Sequence, residues 1–239
     1  MAAKDKIILA LDVSSEREAV ELVTELKDCV GAFKIGLELF TSLGPRIIEA
    51  VKNAGAERIF FDGKFHDIPN TVAGAARAAA RMGVWMMNVH ASGGSAMMAA
   101  ARDAAADEAD KLGIPAPVII AVTVLTSINA ETLQHELSVP VLLQNQVSHL
   151  AQLAQNAGLD GVVASPHEIA AVKDTCGPEF MVVTPGVRPA WAATNDQKRI
   201  MTPGDAVAGG ADYIVIGRAI TAADDRRLAA ETIIAEIGG

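Results

Sequence analysis

Residues Lys6–Val23 have the sequence KIILALDVSSEREAVELV, which contains a complete strand–helix unit. Ile7–Leu11 is a continuous apolar run of strand length that ends at Asp12. Continuous rather than alternating apolarity indicates a strand buried on both faces, as in a parallel sheet. The following Ser15–Glu18 segment has the pattern of a helix capping box. An apolar stripe at helical spacing comes next, formed by Ala19, Leu22, Val23, Leu26 and Val30.

The strand–helix unit recurs along the chain. The first four predicted strands start at residues 7, 32, 58 and 84, so the steps are 25, 26 and 26 residues, which is typical of β/α units. Helices are predicted at 45–54 and 71–82. The predicted strands after the first are Ala32–Ile35, Arg58–Asp62, Val84–Val89, Ala116–Val124, Gly161–Ala164, Phe180–Val183 and Tyr213–Ile216.

Eight alternating units indicate a parallel sheet that closes into a barrel. The 239 residues fit a single (β/α)8 TIM barrel, which typically has about 250 residues. Because no linker, low-complexity stretch or charge block divides the chain, we expect one catalytic domain over residues 1–239. A doubly wound open sheet is the competing α/β fold.

Composition excludes several classes of function. The chain is 51% apolar and 21% charged, as expected of a globular protein, and its net charge is −9. No run of Lys or Arg indicates a nucleic-acid partner, and no apolar segment reaches the roughly 18 residues that span a membrane. The N-terminal apolar run is too short for a signal peptide. Cys29 and Cys176 form no disulfide framework, so we expect a cytoplasmic protein.

Charged residues follow the first three predicted strands, where the active sites of such barrels lie. Asp12 follows the first strand, Lys34 ends the second, and Asp62 and Lys64 end the third. Asp62 and Lys64 are two positions apart and would point to the same side of an extended chain. A single Asp–Lys pair commonly only links neighbouring strands. Four such residues at strand ends favour a functional site in which the charges keep one another ionised.

The end of the last strand predicts an anion site. Gly217 and Arg218 lie between a buried strand and a helix expected to begin near Ala219, and helix N-termini bind phosphate. The long irregular segment 185–200 is typical of a lid, and Arg188 and Gln197 are its candidate anion ligands.

Other residues are expected to be structural. The five histidines show no metal-ligand spacing. His90 ends a strand and could touch the site, but a structural role is expected for it. The methionines at 86, 87, 97 and 98 are predicted to fill core or interface. No metal site is predicted.

Several motifs together resemble one family, the bacterial-type orotidine 5'-phosphate decarboxylases. The matching segments occur in family order along essentially the whole chain. They are LALDV, FKIG, FFDGKFHDIPNT, NVHASGG, AVTVLTS, VTPGVRP, NDQKRIMTP and YIVIGR. The DxKxxD pattern alone would also suit sugar-phosphate enzymes on the same barrel, whereas LTS, TPGVRP and the Gln197 segment are more specific.

The resemblance implies decarboxylation of orotidine 5'-phosphate to UMP and CO₂ in de novo pyrimidine biosynthesis, without a metal or an organic cofactor. The difficult step forms a carbanion at C6 of the pyrimidine. Lys64 is expected to stabilise and then protonate this carbanion. Asp62 is expected to lie near the departing carboxylate and to keep Lys64 charged and oriented.

The resemblance also implies the remaining ligands. Asp12 and Lys34 would bind ribose hydroxyls, and Thr126 would contact the pyrimidine. Gln197, Gly217 and Arg218 would bind the phosphate, with Arg188 on the same side. The residues expected to come from the partner subunit of a homodimer, whose active sites are shared, are Asp67, Ile68 and Thr71.

Two other functions compete with this one. A metal-dependent sugar-phosphate lyase or decarboxylase of the same barrel superfamily would use Asp12, Asp62 and a further carboxylate to hold Mg²⁺, but it leaves LTS and TPGVRP unexplained. A non-catalytic barrel that binds a phosphate-bearing ligand would leave a lysine between two aspartates without a purpose.

Overall fold

Eight parallel strands close into a barrel in a computed structural model of the protein, which describes residues 1–192 and 201–238. The first and last strands pair, with Ile8 opposite Val215, and this pairing rules out the open sheet. The fold prediction is therefore confirmed. The strands are β1 (Ile7–Ala10), β2 (Ala32–Ile35), β3 (Ile59–Phe65), β4 (Met86–His90), β5 (Val118–Val122), β6 (Gly161–Val163), β7 (Met181–Pro185) and β8 (Tyr213–Ile216).

Helices follow the strands in the described residues. They are α1 (Glu16–Leu26), α2 (Leu37–Leu43), α3 (Arg46–Asn53), α4 (Pro69–Arg81), α5 (Ser95–Leu112), α6 (Leu143–Asn156), α7 (Ile169–Cys176), α8 (Pro203–Ala208), α9 (Arg218–Thr221) and α10 (Arg226–Gly238). The prediction missed α2, because this helix is short and buries only Leu39. The helix predicted over 71–82 begins two residues earlier, since Pro69 occupies the first helical position, where proline needs no N–H partner.

The first helix forms largely as its sequence predicts. The Ser15 hydroxyl oxygen accepts a 3.3 Å hydrogen bond from the Glu18 backbone N–H. The second bond of the predicted capping box differs, because the Glu18 carboxylate accepts from the Ser15 hydroxyl, at 2.7 Å, instead of from the Ser15 N–H. The predicted stripe is buried, although Val30 lies beyond the end of α1.

The core has two layers. One apolar cluster includes Ile8, Phe60 and Met86 and fills the barrel interior, since these residues alternate with neighbours that face outward. A larger cluster packs the strands against the surrounding helices and includes Met87 and Met97. All four methionines singled out in the sequence are fully buried, so the prediction of core packing is confirmed.

Gly161 lies opposite Met181 in the pairing of β6 with β7, so it tests the packing of the barrel. A Cβ at this position would lie 2.6 Å from the Cβ of Met181 and closer still to the Met181 carbonyl oxygen. We expect Gly161→Ala to lower the free energy of unfolding by about 1–3 kcal/mol, because the backbones must separate. Chemical denaturation measures the effect. Gly238→Ala is the control, because its Cβ would lie 3.7 Å from Ala3, an ordinary contact; equal stability of the two variants would contradict the prediction.

In the described part of the chain, no helix combines the length and apolarity needed to cross a membrane.

Candidate active site

A cavity of about 820 Å³ opens at the carboxyl ends of the strands. Its walls combine apolar strand residues with charged residues from the strand ends. The predicted site residues that line it are Asp12, Lys34, Asp62, Lys64, Thr126, Arg188, Gly217 and Arg218. The structure therefore brings eight of the twelve predicted residues to one cavity. Gln197 lies outside the described residues.

Four charged side chains alternate in sign along one wall of the cavity. The Lys34 ammonium group lies 3.3 Å from Asp12 Oδ1 and 3.3 Å from Asp62 Oδ2. The Lys64 ammonium group lies 2.6 Å from the other oxygen, Asp62 Oδ1. Asp62 is therefore bound on both oxygens by ammonium groups, and the predicted meeting of two carboxylates with two lysines is confirmed.

The backbone at Lys64 differs from the prediction. Lys64 has φ of +49°, in the left-handed region that few residues other than glycine adopt, and the pairing of β3 with β4 shifts register between Phe61 and Phe65. Asp62 and Lys64 do lie on the same side, as predicted, but the predicted reason, a regular extended chain, is wrong. The two side chains meet because the chain bulges at this point, and such bulges are frequent beside active sites.

Asp62 is buried but stays ionised. Burial alone would raise the pKa of its carboxyl group. The ammonium groups of Lys34 and Lys64, together with hydrogen bonds from Lys64 and Asn88, outweigh burial and hold the pKa below its usual range. The site therefore keeps a fixed negative charge between two positive ones.

Asn88 completes this network and had no predicted role. Its side chain is buried, its Nδ2 donates a 2.7 Å hydrogen bond to Asp62 Oδ1, and its Oδ1 accepts a 2.7 Å bond from the Lys64 backbone N–H. The one available signal was a polar residue near the end of β4, and this signal does not reveal contacts across strands.

The expected phosphate side of the cavity contains Arg188, Gly217 and Arg218. A Cβ added at Gly217 would lie 3.4 Å from Asp12 Oδ2, so the ends of β1 and β8 are close together. The helix expected near Ala219 begins at Arg218 and is a single turn. Its dipole is therefore small, and the guanidinium groups carry the argument for an anion site.

Three predicted residues do not line the cavity. Asp67, Ile68 and Thr71 are exposed beyond the end of β3, and Asp67 Oδ1 accepts a 2.6 Å bond from the Ile68 N–H. Ile68 is 67% exposed, which is unusual for a large apolar side chain and leaves it free to pack against another molecule.

Residues 5–233 match the model of the orotidine 5'-phosphate decarboxylase / HUMPS family. The chain belongs to this family. A protein of Moorella thermoacetica named orotidine 5'-phosphate decarboxylase is 57% identical over 99% of the chain and 94% of its own length. A protein of Syntrophomonas wolfei with the same name is 51% identical over 99% of both chains.

Two solved structures superpose on nearly the whole chain. The crystal structure of orotidine 5'-phosphate decarboxylase from Lactobacillus acidophilus superposes with a TM-score of 0.86 at 37% identity, over 98% of this chain and 99% of that one. An uncharacterized conserved protein of Geobacillus kaustophilus gives a TM-score of 0.83 at 40% identity, over 97% of this chain and 99% of that one.

The alternative function, a metal-dependent sugar-phosphate lyase or decarboxylase, is not favoured. Among residues 1–192 and 201–238, no three His, Cys, Asp or Glu side chains form a group that could hold a metal ion. The lyase would need a third carboxylate beside Asp12 and Asp62. Relatives at 50–57% identity carry the decarboxylase name.

Two histidine rings lie close together at the ends of β3 and β4. The rings of His66 and His90 lie 5.3 Å apart, and His90 is half-buried. Burial lowers the pKa of His90, and the neighbouring His66 and Lys64 lower it further, while Asp62 raises it. His90 does not line the cavity, and its contact with His66 is consistent with a structural role.

Proposed function

We propose that this chain catalyses the decarboxylation of orotidine 5'-phosphate to UMP and CO₂ in pyrimidine biosynthesis. The observation that carries the proposal is the Asp12–Lys34–Asp62–Lys64 network on the wall of the main cavity, in a chain whose relatives are named for this reaction. We further propose that the reaction needs no cofactor and that residues 1–239 form one cytoplasmic catalytic domain. Free Cys29 and Cys176 agree with a reducing compartment.

Lys64 performs the central step. The C6–carboxylate bond breaks, its electron pair stays on C6, and CO₂ leaves. The Lys64 ammonium group stabilises this charge and then donates a proton to C6 to give UMP. The 2.6 Å contact with Asp62 fixes the position of the ammonium group before the substrate arrives, so little reorganisation is required during the reaction.

The other cavity residues bind the parts of the substrate that do not react. Asp12 and Lys34 bind ribose hydroxyls, and Thr126 contacts the pyrimidine. Arg188, Gln197, Gly217 and Arg218 bind the phosphate. Binding energy from these distant groups positions C6 against Lys64. Apolar side chains from the inner strand positions, including Val122 and Val183, form the floor and limit access of water.

Asp67, Ile68 and Thr71 serve the active site of a partner subunit in a homodimer. Their exposure outside the cavity of their own barrel supports this assignment. In a twofold dimer each barrel would receive the same three residues from the other subunit. Asp67 would then supply the second carboxylate beside Lys64.

A spectrophotometric assay tests the function. Purified protein should bleach the absorbance of orotidine 5'-phosphate as UMP forms, and EDTA should leave the rate unchanged. Folded protein that leaves pure substrate intact would contradict the decarboxylase assignment. A rate that collapses with EDTA and returns with Mg²⁺ would favour the metal-dependent alternative.

Arg218→Ala tests the phosphate side of the site. We expect the KM for orotidine 5'-phosphate to rise about 10- to 100-fold, because a charge-assisted hydrogen bond contributes about 1.5–3 kcal/mol. Steady-state kinetics with orotidine, which lacks the phosphate, should show little effect of the variant. Arg17→Ala on the exposed face of α1 is the matched control. An equal loss with both substrates would show that Arg218 does not act through the phosphate.

A further inference from the structure

We propose that Asn88 is a positioning residue that sets the geometry of the Asp62–Lys64 pair, a role that rests on the proposed function. It lies on β4, next to the strand that carries the pair, and is 1% exposed. Its amide group makes two hydrogen bonds, one to each member of the pair.

The first hydrogen bond holds the Lys64 backbone. A lysine at φ of +49° is in a conformation that costs free energy and persists only where its surroundings enforce it. The bulge removes Lys64 from regular strand pairing, and its N–H donates to Asn88 Oδ1 at 2.7 Å instead. Asn88 therefore satisfies the backbone group that the bulge would otherwise leave unpaired.

The second hydrogen bond holds the carboxylate. Asn88 Nδ2 donates at 2.7 Å to Asp62 Oδ1, the same oxygen that receives the Lys64 ammonium group. One amide thus connects the backbone of the lysine with the carboxylate that orients its side chain. Asparagine suits this position because it offers a donor and an acceptor on one planar group and adds no charge.

Two substitutions separate positioning from a purely structural role. Asn88→Ala removes both bonds, and we expect kcat to fall about 100-fold with a smaller change in KM, since displacement of a reacting group by about 1 Å has an effect of this size. Asn88→Asp keeps the acceptor but, when ionised, cannot donate and repels Asp62.

The pH profile of Asn88→Asp is the decisive readout. Two adjacent carboxyl groups raise the pKa of one of them, so the introduced group gains a proton as the pH falls. The protonated group can again donate to Asp62 and accept from Lys64. The ratio of variant to wild-type kcat should therefore rise with falling pH. The other charged or titratable groups near the pair are Lys34 and His90, and division by the wild-type value removes the pH dependence that both proteins share.

Controls distinguish this role from a general loss of packing. Thr123→Val removes another buried hydrogen bond, 2.9 Å from the hydroxyl to the Val163 carbonyl, directly after the end of β5, and should leave kcat within about twofold of wild type. A wild-type kcat for Asn88→Ala, or a flat ratio for Asn88→Asp, would overturn the proposal. Failure of both variants to fold would also overturn it, because Asn88 would then serve the fold.

A second readout needs no substrate. The pKa of the Asp62 carboxyl group, followed by NMR of the ligand-free protein, should rise in Asn88→Ala, because a hydrogen bond to the charged form is lost. An unchanged pKa would contradict the proposal. If wild-type protein fails to decarboxylate orotidine 5'-phosphate, only the proposed function fails, and this measurement still tests the role of Asn88.

Discussion

Replacement of Lys64 by alanine is expected to lower kcat/KM for orotidine 5'-phosphate about 10⁴-fold or more. The ammonium group acts twice, since it stabilises the charge on C6 and then donates the proton, and each role is typically worth about 10²-fold or more. Steady-state kinetics measures the loss. The fold should survive, because the side chain is 30% exposed and Asp62 keeps its contact with Lys34.

Lys111→Ala is the matched control for this prediction. Lys111 is 67% exposed on α5, and its one ion pair within the described residues is with Glu108, at 4.0 Å. Its loss should leave the rate unchanged. A fall of less than about tenfold for Lys64→Ala would mean that another group protonates C6, since removal of the single proton donor costs more than this.

Mixing two inactive homodimers is expected to restore activity. Lys64→Ala and Asp67→Asn should each be severely impaired alone. After subunit exchange, each heterodimer would contain one active site with Lys64 from one subunit and Asp67 from the other. Random exchange should restore about one quarter of wild-type activity, because half of the dimers are heterodimers and one of their two sites is intact. The decarboxylation rate and native mass spectrometry follow the restoration and the exchange.

A second mixture provides the control. Lys64→Ala with Asp62→Asn should restore nothing, since both residues lie on the same strand and serve the same cavity. Equal results from the two mixtures, with exchange demonstrated, would place Asp67 in the active site of its own subunit and contradict the shared site.

The sequence predicted the barrel and most strand positions because buried parallel strands have a strong local signal. β2 and β8 begin and end at the predicted residues. In both, the strand is followed directly by a glycine, Gly36 or Gly217, so the boundary is local. The end of β3 was misjudged because its last residues pair with β4 only through a bulge, and pairing across strands has no signature in a single segment.

The sequence by itself therefore determined the fold class, the strand ends that carry charge and, through its motifs, the family. Only the tertiary structure decided how Asp62 and Lys64 meet. The left-handed backbone at Lys64 requires an acceptor from another strand, and Asn88, 24 residues away in sequence, provides it. The structure also placed Asp67 outside the cavity that Lys64 lines. Hydrophobic periodicity is local and can be predicted from neighbours along the chain, whereas hydrogen bonds between strands depend on residues that come together only in the closed barrel.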